Sequence, residues 1–231
     1  MGCGTSSLET TDNNQNKVAL ESKKTMKMFD YGKYIGELKN NMKEGKGVMY
    51  YDNGDRYEGE FKDDQRNGKG IYYFKNGNKY EGTFKDDDYD GFGKFSYNNG
   101  DKYEGNYKKD KKEGKGIFYC LNGDKYDGEW KNDMRHGKGI FYWENGDKYE
   151  GDYKNDVREG KGILYYKNGN RYEGEFKNGL ADGKGKLFLK SGDRYEGEFK
   201  DDKFDGKGIF YYKTGEKEKH VYKEDHLISR E

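Results

Sequence analysis

Over most of the chain, aromatic and charged residues alternate one by one. In Tyr57-Glu58-Gly59-Glu60-Phe61-Lys62 the odd members are Tyr, Gly and Phe, and those between are charged. A period of two predicts a strand with one aromatic and one charged face. Gly68-Lys69-Gly70-Ile71-Tyr72-Tyr73-Phe74 predicts a second strand whose aromatic face is in phase with the first. The pair then returns. Its opening tyrosines are Tyr34, Tyr57, Tyr80, Tyr103, Tyr126, Tyr149, Tyr172 and Tyr195, always 23 residues apart. These eight units cover 34–217, and a fixed period of this kind marks a repeat array.

Between the two strands of a unit lies a polar stretch such as Asp63-Asp64-Gln65-Arg66-Asn67, predicted as a loop. Between units comes Asn53-Gly54-Asp55, repeated as Asn76-Gly77-Asn78, Asn122-Gly123-Asp124 and Asn145-Gly146-Asp147. Asn-Gly between alternating strands signals a type I′ hairpin, which needs positive φ at both central residues. The expected fold is all-β: an elongated single-layer antiparallel meander of about sixteen short strands, ~75 Å long at ~4.8 Å per strand. No helix is available to cover such a sheet. Rings lying over the bare glycines of neighbouring strands would cover it instead.

The recurring Tyr-x-Gly-x-aromatic followed by Gly-x-Gly resembles the MORN (membrane occupation and recognition nexus) repeat. The resemblance implies a twisted sheet of hairpins with a groove along one face. It also implies a binding role, since MORN proteins include organisers of membrane-linked cytoskeleton, some of which dimerise end to end. Phosphoinositide binding has been proposed for such repeats, and a lysine at the sixth position of all eight units, from Lys39 to Lys200, could support it. Glutamates beside those lysines leave no net positive field.

Composition narrows the function further. Hydrophobic residues make up only 30% and charged residues 39%, a balance typical of disorder. The 24 Tyr and 13 Phe reverse that inference, because each aromatic side chain buries ~150–250 Å². The 45 basic and 45 acidic residues cancel, whereas nucleic-acid binding calls for a basic face. No nucleic-acid partner is expected. The repeats leave no stretch of the ~50 residues or more that a catalytic domain needs, so no enzyme activity or cofactor is expected. His136, His220 and His226 are scattered and read as loop or tail residues; no metal site is expected. Asp86-Asp87-Asp88-Tyr89-Asp90-Gly91 fits half a calcium loop, but Tyr97 stands where the bidentate Glu is required.

The N-terminal Met1-Gly2-Cys3-Gly4-Thr5-Ser6 satisfies the N-myristoylation pattern at Gly2, with Cys3 placed for S-palmitoylation. Two acyl chains anchor stably where one does not. The expected organisation is an acylation motif and disordered linker over 1–28, the array over 29–217, and an edge strand and tail over 218–231.

Within the array the fifth unit stands out. It holds both tryptophans, Trp130 and Trp143, just after Cys120, which replaces a ring on the aromatic face. A large ring beside a small residue suggests a groove for a protein partner, lined by Tyr126, Trp130, Phe141, Trp143 and Tyr149. The expected function is a membrane-anchored scaffold on the cytoplasmic face of a membrane, presenting a protein-binding surface to cortical or cytoskeletal partners. An adaptor gripping one peptide or helix, a phosphoinositide-binding module and a homodimer joined through open strand edges are the alternatives.

Overall fold

The computed structural model describes residues 24–231. Gly2, Cys3 and the segment up to residue 23 lie outside them. The described residues form nineteen antiparallel strands in one open sheet, each paired with the strand that follows it in the chain, and include no helix. This is the meander expected from the period-two pattern, with three strands beyond the two of each unit.

One strand, Thr25–Phe29, precedes the array and pairs with Gly32–Lys39, inside the segment expected to be linker. Lys217–Lys223 and His226–Arg230 follow it as a ninth hairpin. The last residues were expected to be a free tail, yet Glu231 exchanges both backbone hydrogen bonds with Lys219 (2.8 and 2.9 Å). Lys217–Lys223 is the expected edge strand; His226–Arg230 is concealed because Glu218 and His220 take the places of the repeat's Tyr and Gly, so the pattern does not announce a ninth unit. His220 is accordingly buried, not an exposed tail residue. Its ring stacks on Phe210 (5.6 Å), and its nitrogens meet the Tyr222 hydroxyl and the Glu218 carboxylate, both at 3.0 Å.

The two turns of each unit are the reverse of the expected pair. Asp63-Asp64, read as the start of a loop, is the complete two-residue connection, with φ of 48° and 67°. Positive φ at both residues is the type I′ signature. Asn53-Gly54 is not such a turn: only Gly54 has positive φ (93°), and the Tyr51 N–H closes a three-residue loop on the Asp55 carbonyl (3.0 Å). Here Asn53 Oδ1 accepts the Asp55 N–H (2.9 Å), the local side-chain bonding that Asn favours in turns. Because the Asp63-Asp64 turn is so short, Gln65–Tyr73 is all strand and Arg66 faces Phe61 across the hairpin.

Carboxylates at both turns join consecutive units. Asp87 Oδ1 accepts the backbone N–H of Arg66 (2.9 Å), and the equivalent bond recurs from Lys112 to Asp133 and from Arg135 to Asp156. At the opposite edge Asp55 Oδ1 accepts the Lys75 N–H (2.8 Å) and Asp101 the Leu121 N–H (2.8 Å).

The core is a single column. The eight repeat tyrosines are all buried, and most have no exposed surface. Tyr57 lies flat over Gly59 and Gly70; a Cβ on Gly70 would sit 2.3 Å from its hydroxyl oxygen. That hydroxyl donates to the Glu60 carbonyl (3.0 Å), so burial leaves it satisfied. The ring at the fifth position then bridges units. Phe61 presents its edge to Tyr57 (5.0 Å, 90°) and to Tyr34 of the preceding unit (5.2 Å, 84°). Such edge-to-face pairs contribute about 0.5–1.5 kcal/mol each beyond burial.

Candidate interaction surfaces

Since the tyrosine column is consumed in packing, what can meet a partner is what lies beside it. On the aromatic face the tenth position of the unit carries Lys43, Arg66, Lys112, Arg135 and Arg158, and Tyr89, Ala181 and Phe204 in the remaining units. Sequence reading placed these cations in a loop and so missed them. Arg66 lies over the rings of Tyr72 (5.0 Å) and Phe84 (5.3 Å), and its Nε pairs with Asp87 Oδ1 at 3.0 Å. Arg135 repeats that arrangement over Phe141 (5.5 Å) and Tyr153 (5.4 Å), with Asp156 at 3.0 Å. Arg158 donates to the Gly179 carbonyl, and Lys43 Nζ reaches the Tyr31 hydroxyl (3.1 Å). Lys112 differs. Its Nζ stands among the rings of Tyr97, Tyr103, Phe118 and Trp130, 4.7–5.7 Å from their centres, and pairs with no carboxylate among the described residues.

Beside Lys112 the face is indented. Cys120 stands where neighbouring units have Tyr97 and Trp143, and the missing ring leaves a recess of about 440 Å³ lined by Phe118, Cys120, Tyr126, Trp130, Arg135, Phe141 and Asp156. Of the five groove residues, the structure therefore gathers Tyr126, Trp130 and Phe141 at one recess. Trp143 packs beside Phe141 (4.8 Å) but does not line it, and neither does Tyr149. Tyr126 and Trp130 are 2% and 7% exposed, so they shape the recess from below, while Tyr149, at 0%, is closed within the column. Trp130 Nε1 is occupied by the Gly116 carbonyl (3.0 Å). The half-buried Phe141 and Trp143 offer surface. Burial, with minor contributions from Asp101 and Asp124, pushes the Cys120 thiol above its ordinary pKa, which lowers its share of reactive thiolate.

The opposite face is charged and also hollow. One depression of about 880 Å³ runs over the first units past Ile35, Val48, Ile71 and Phe92, and another of about 1030 Å³ past Ile140 and Ile163. Its ion pairs are mostly local: Lys79 with Glu81 (2.8 Å), Arg171 with Glu173 (2.8 Å), and across strands Lys94 with Glu104 (3.3 Å). The sixth-position lysines are all exposed, beside turns that carry acids at Asp63, Asp86 and Asp201. Phe92 interrupts the pattern, standing 55% exposed where every other unit has Lys. Its cross-strand neighbour is Asn106, where most units have Glu or Asp.

No group of three or more His, Cys, Asp or Glu side chains among the described residues is arranged to hold a metal ion. The Asp86–Asp90 run is part of a type I′ turn and the strand after it, with Asp87 committed to Arg66. No helix among the described residues is long and apolar enough to cross a membrane.

The MORN repeat model matches eight consecutive segments, 34–56, 57–79, 80–102, 103–125, 126–148, 149–171, 172–194 and 195–217. The chain belongs to the MORN repeat family. Each matched segment starts at a column tyrosine of this MORN array. No curated protein sequence matches it. Among solved structures the array is similar to the wild-type TCP10 domain of Danio rerio CPAP, at 12% identity and a TM-score of 0.51, over 90% of this chain and 99% of that one. The same domain in complex with a peptide of Danio rerio STIL gives the same values. At that identity the likeness is one of fold.

Proposed function

We propose that this MORN protein is a non-enzymatic scaffold whose aromatic face takes an extended segment of a protein partner, and whose N-terminus tethers the array to the cytoplasmic face of a membrane. The observation that carries the first half is the recess at Cys120: an indentation lined by rings of the aromatic column lies beside the cation column and beside the half-buried rings of Phe141 and Trp143. The similarity in fold to a domain solved with a bound peptide supports it.

The second half rests on Gly2, Cys3 and Ser6. Myristate on Gly2 and palmitate on Cys3 supply the two chains that stable anchoring takes. The array itself offers the bilayer little, since its lysines are interleaved with acids on the charged face. Cortical or cytoskeletal partners suit a long sheet fixed at one end. The test is membrane fractionation of wild type, Gly2→Ala and Cys3→Ala, with clickable myristate and palmitate labelling. Both labels on the wild type, with each variant soluble, is the expected result. Unlabelled protein that still pellets with membranes would overturn the tether and favour direct lipid binding by the repeats.

A further inference from the structure

Two departures from the repeat meet at one place. The first is the missing ring at Cys120. The second is Lys112, alone among the column cations in having neither hydrogen bond nor ion pair on its side-chain nitrogen among the described residues. The turn carboxylate paired with its strand, Asp133, accepts the Lys112 backbone N–H (2.9 Å). Phe118 and Trp130 belong both to the cage around Lys112 Nζ, at 4.7 and 4.9 Å from their ring centres, and to the wall of the recess. The ammonium without a direct partner and the ring-lined slot are therefore adjacent on one face.

We infer that this is a composite subsite for an extended acidic peptide, one carboxylate side chain pairing with Lys112 Nζ while an apolar side chain within two residues of it enters the recess beside Cys120. The inference rests on the reading of the aromatic face as the partner surface and names the chemistry of that partner. Charge complementarity decides it. A half-buried ammonium held only by ring faces gains from a desolvated carboxylate. Burial among the rings, against weaker pulls from Asp133 and Asp156, already holds the Lys112 ammonium below the ordinary lysine range. Residues i and i+2 of an extended segment point the same way, ~6.6 Å apart, the geometry of two adjacent subsites. The guanidinium of Arg135, at the far wall, is occupied by Asp156 and sets no second acidic requirement.

The array itself supplies the controls. Ala181 occupies the Lys112 position in another unit, and Trp143 the Cys120 position, so Lys112→Ala and Cys120→Trp keep residues the fold already accepts. The experiment is selection of a random dodecapeptide display library on the full chain, followed by fluorescence polarisation of the selected peptides on wild type, Lys112→Ala, Lys112→Arg and Cys120→Trp, all with unchanged melting. Selected peptides should carry Asp or Glu within two residues of an apolar side chain. Lys112→Ala should weaken them about tenfold, the loss of one charge-assisted hydrogen bond. Lys112→Arg should retain binding, and Cys120→Trp should abolish it. Peptides without an acidic preference, or undiminished binding to Lys112→Ala, would overturn the subsite and leave the aromatic face as a binding surface. A library from which nothing is retained would overturn both.

Discussion

The ring of Tyr57 lies so close over Gly70 that a Cβ there would come within 2.3 Å of the phenol oxygen. The same relationship recurs at every unit, so the absent side chains are as much part of the core as the rings. Gly70→Ala must lift the ring or shift the strand. Overpacking of this kind costs about 1–3 kcal/mol. Chemical denaturation of Gly70→Ala should show that loss, whereas Gly215→Ala, with nothing within 4 Å, should cost only the strain of its positive φ. Equal losses at the two sites would contradict the ring-over-glycine core.

The column also sets an alkaline limit. Burial, reinforced by Glu37, pushes the Tyr34 hydroxyl up to about 12, and burial, reinforced by Tyr222, does the same for Tyr195. A raised acid pKa means the neutral phenol is favoured in the fold. Its stabilisation is fully present below the ordinary value of 10.0 and is lost as pH rises through about 12. Phenolate absorbance from the column should therefore appear only together with loss of β-sheet circular dichroism, well above the ordinary phenol value. A single transition near 10 with the sheet intact would contradict a buried column.

Much of this was legible in the sequence because one side chain per unit dominates the packing. Tyr, Gly and ring at a period of two gave the strands, their phase and their faces. The cation column escaped notice for a physical reason. Asp63 and Asp64 both accept positive φ and so close a hairpin alone, which returns Arg66 to the strand, whereas a run of polar residues reads as loop. Of the ninth hairpin only the first strand was legible, as the expected edge strand; Glu218 and His220 replace the Tyr and Gly that mark a full unit, so its partner His226–Arg230 was read as tail. The recess at Cys120 was readable, since one small residue among rings must leave a gap; the Lys112 ammonium beside it, without a direct partner, was not, because pairing depends on where Asp133 spends its oxygens.

The turn carboxylates hold neighbouring units in register. Asp87→Ala removes the acceptor for the backbone and the Nε of Arg66 and should lower stability by about 1–2 kcal/mol, since the carboxylate is partly exposed and screened. The corresponding Gly179 already lacks a side chain, so Gly179→Asp should stabilise the array. Hydrogen exchange at the Arg66 and Arg158 amides reports both effects.

At the C-terminal cap, hydrogen bonds from His220 and Tyr212 hold the Glu218 carboxyl below its ordinary range. Its contribution is present above the ordinary glutamate value and is lost as pH falls through the lowered one. Amide exchange in 217–230 should accelerate in acid before the rest of the sheet, and Glu218→Gln should remove that difference.

Phe92 breaks the lysine series of the charged face, and its neighbours Asn106 and Thr83 stand where most units have Glu or Asp. Phe92→Lys combined with Asn106→Glu restores the repeat pattern. The double variant should bind less apolar dye at unchanged melting temperature, and partner binding on the aromatic face should be unaffected.

The most direct measurement is site-specific photo-crosslinking in cells, with benzoylphenylalanine replacing Trp143 on the aromatic face or Phe92 on the charged face of the full chain. A discrete protein adduct from position 143, absent from 92 and lost on adding Cys120→Trp, is the expected result. Adducts from position 92 alone, or crosslinks from either face only to lipid, would contradict a scaffold that holds its partner on the aromatic face.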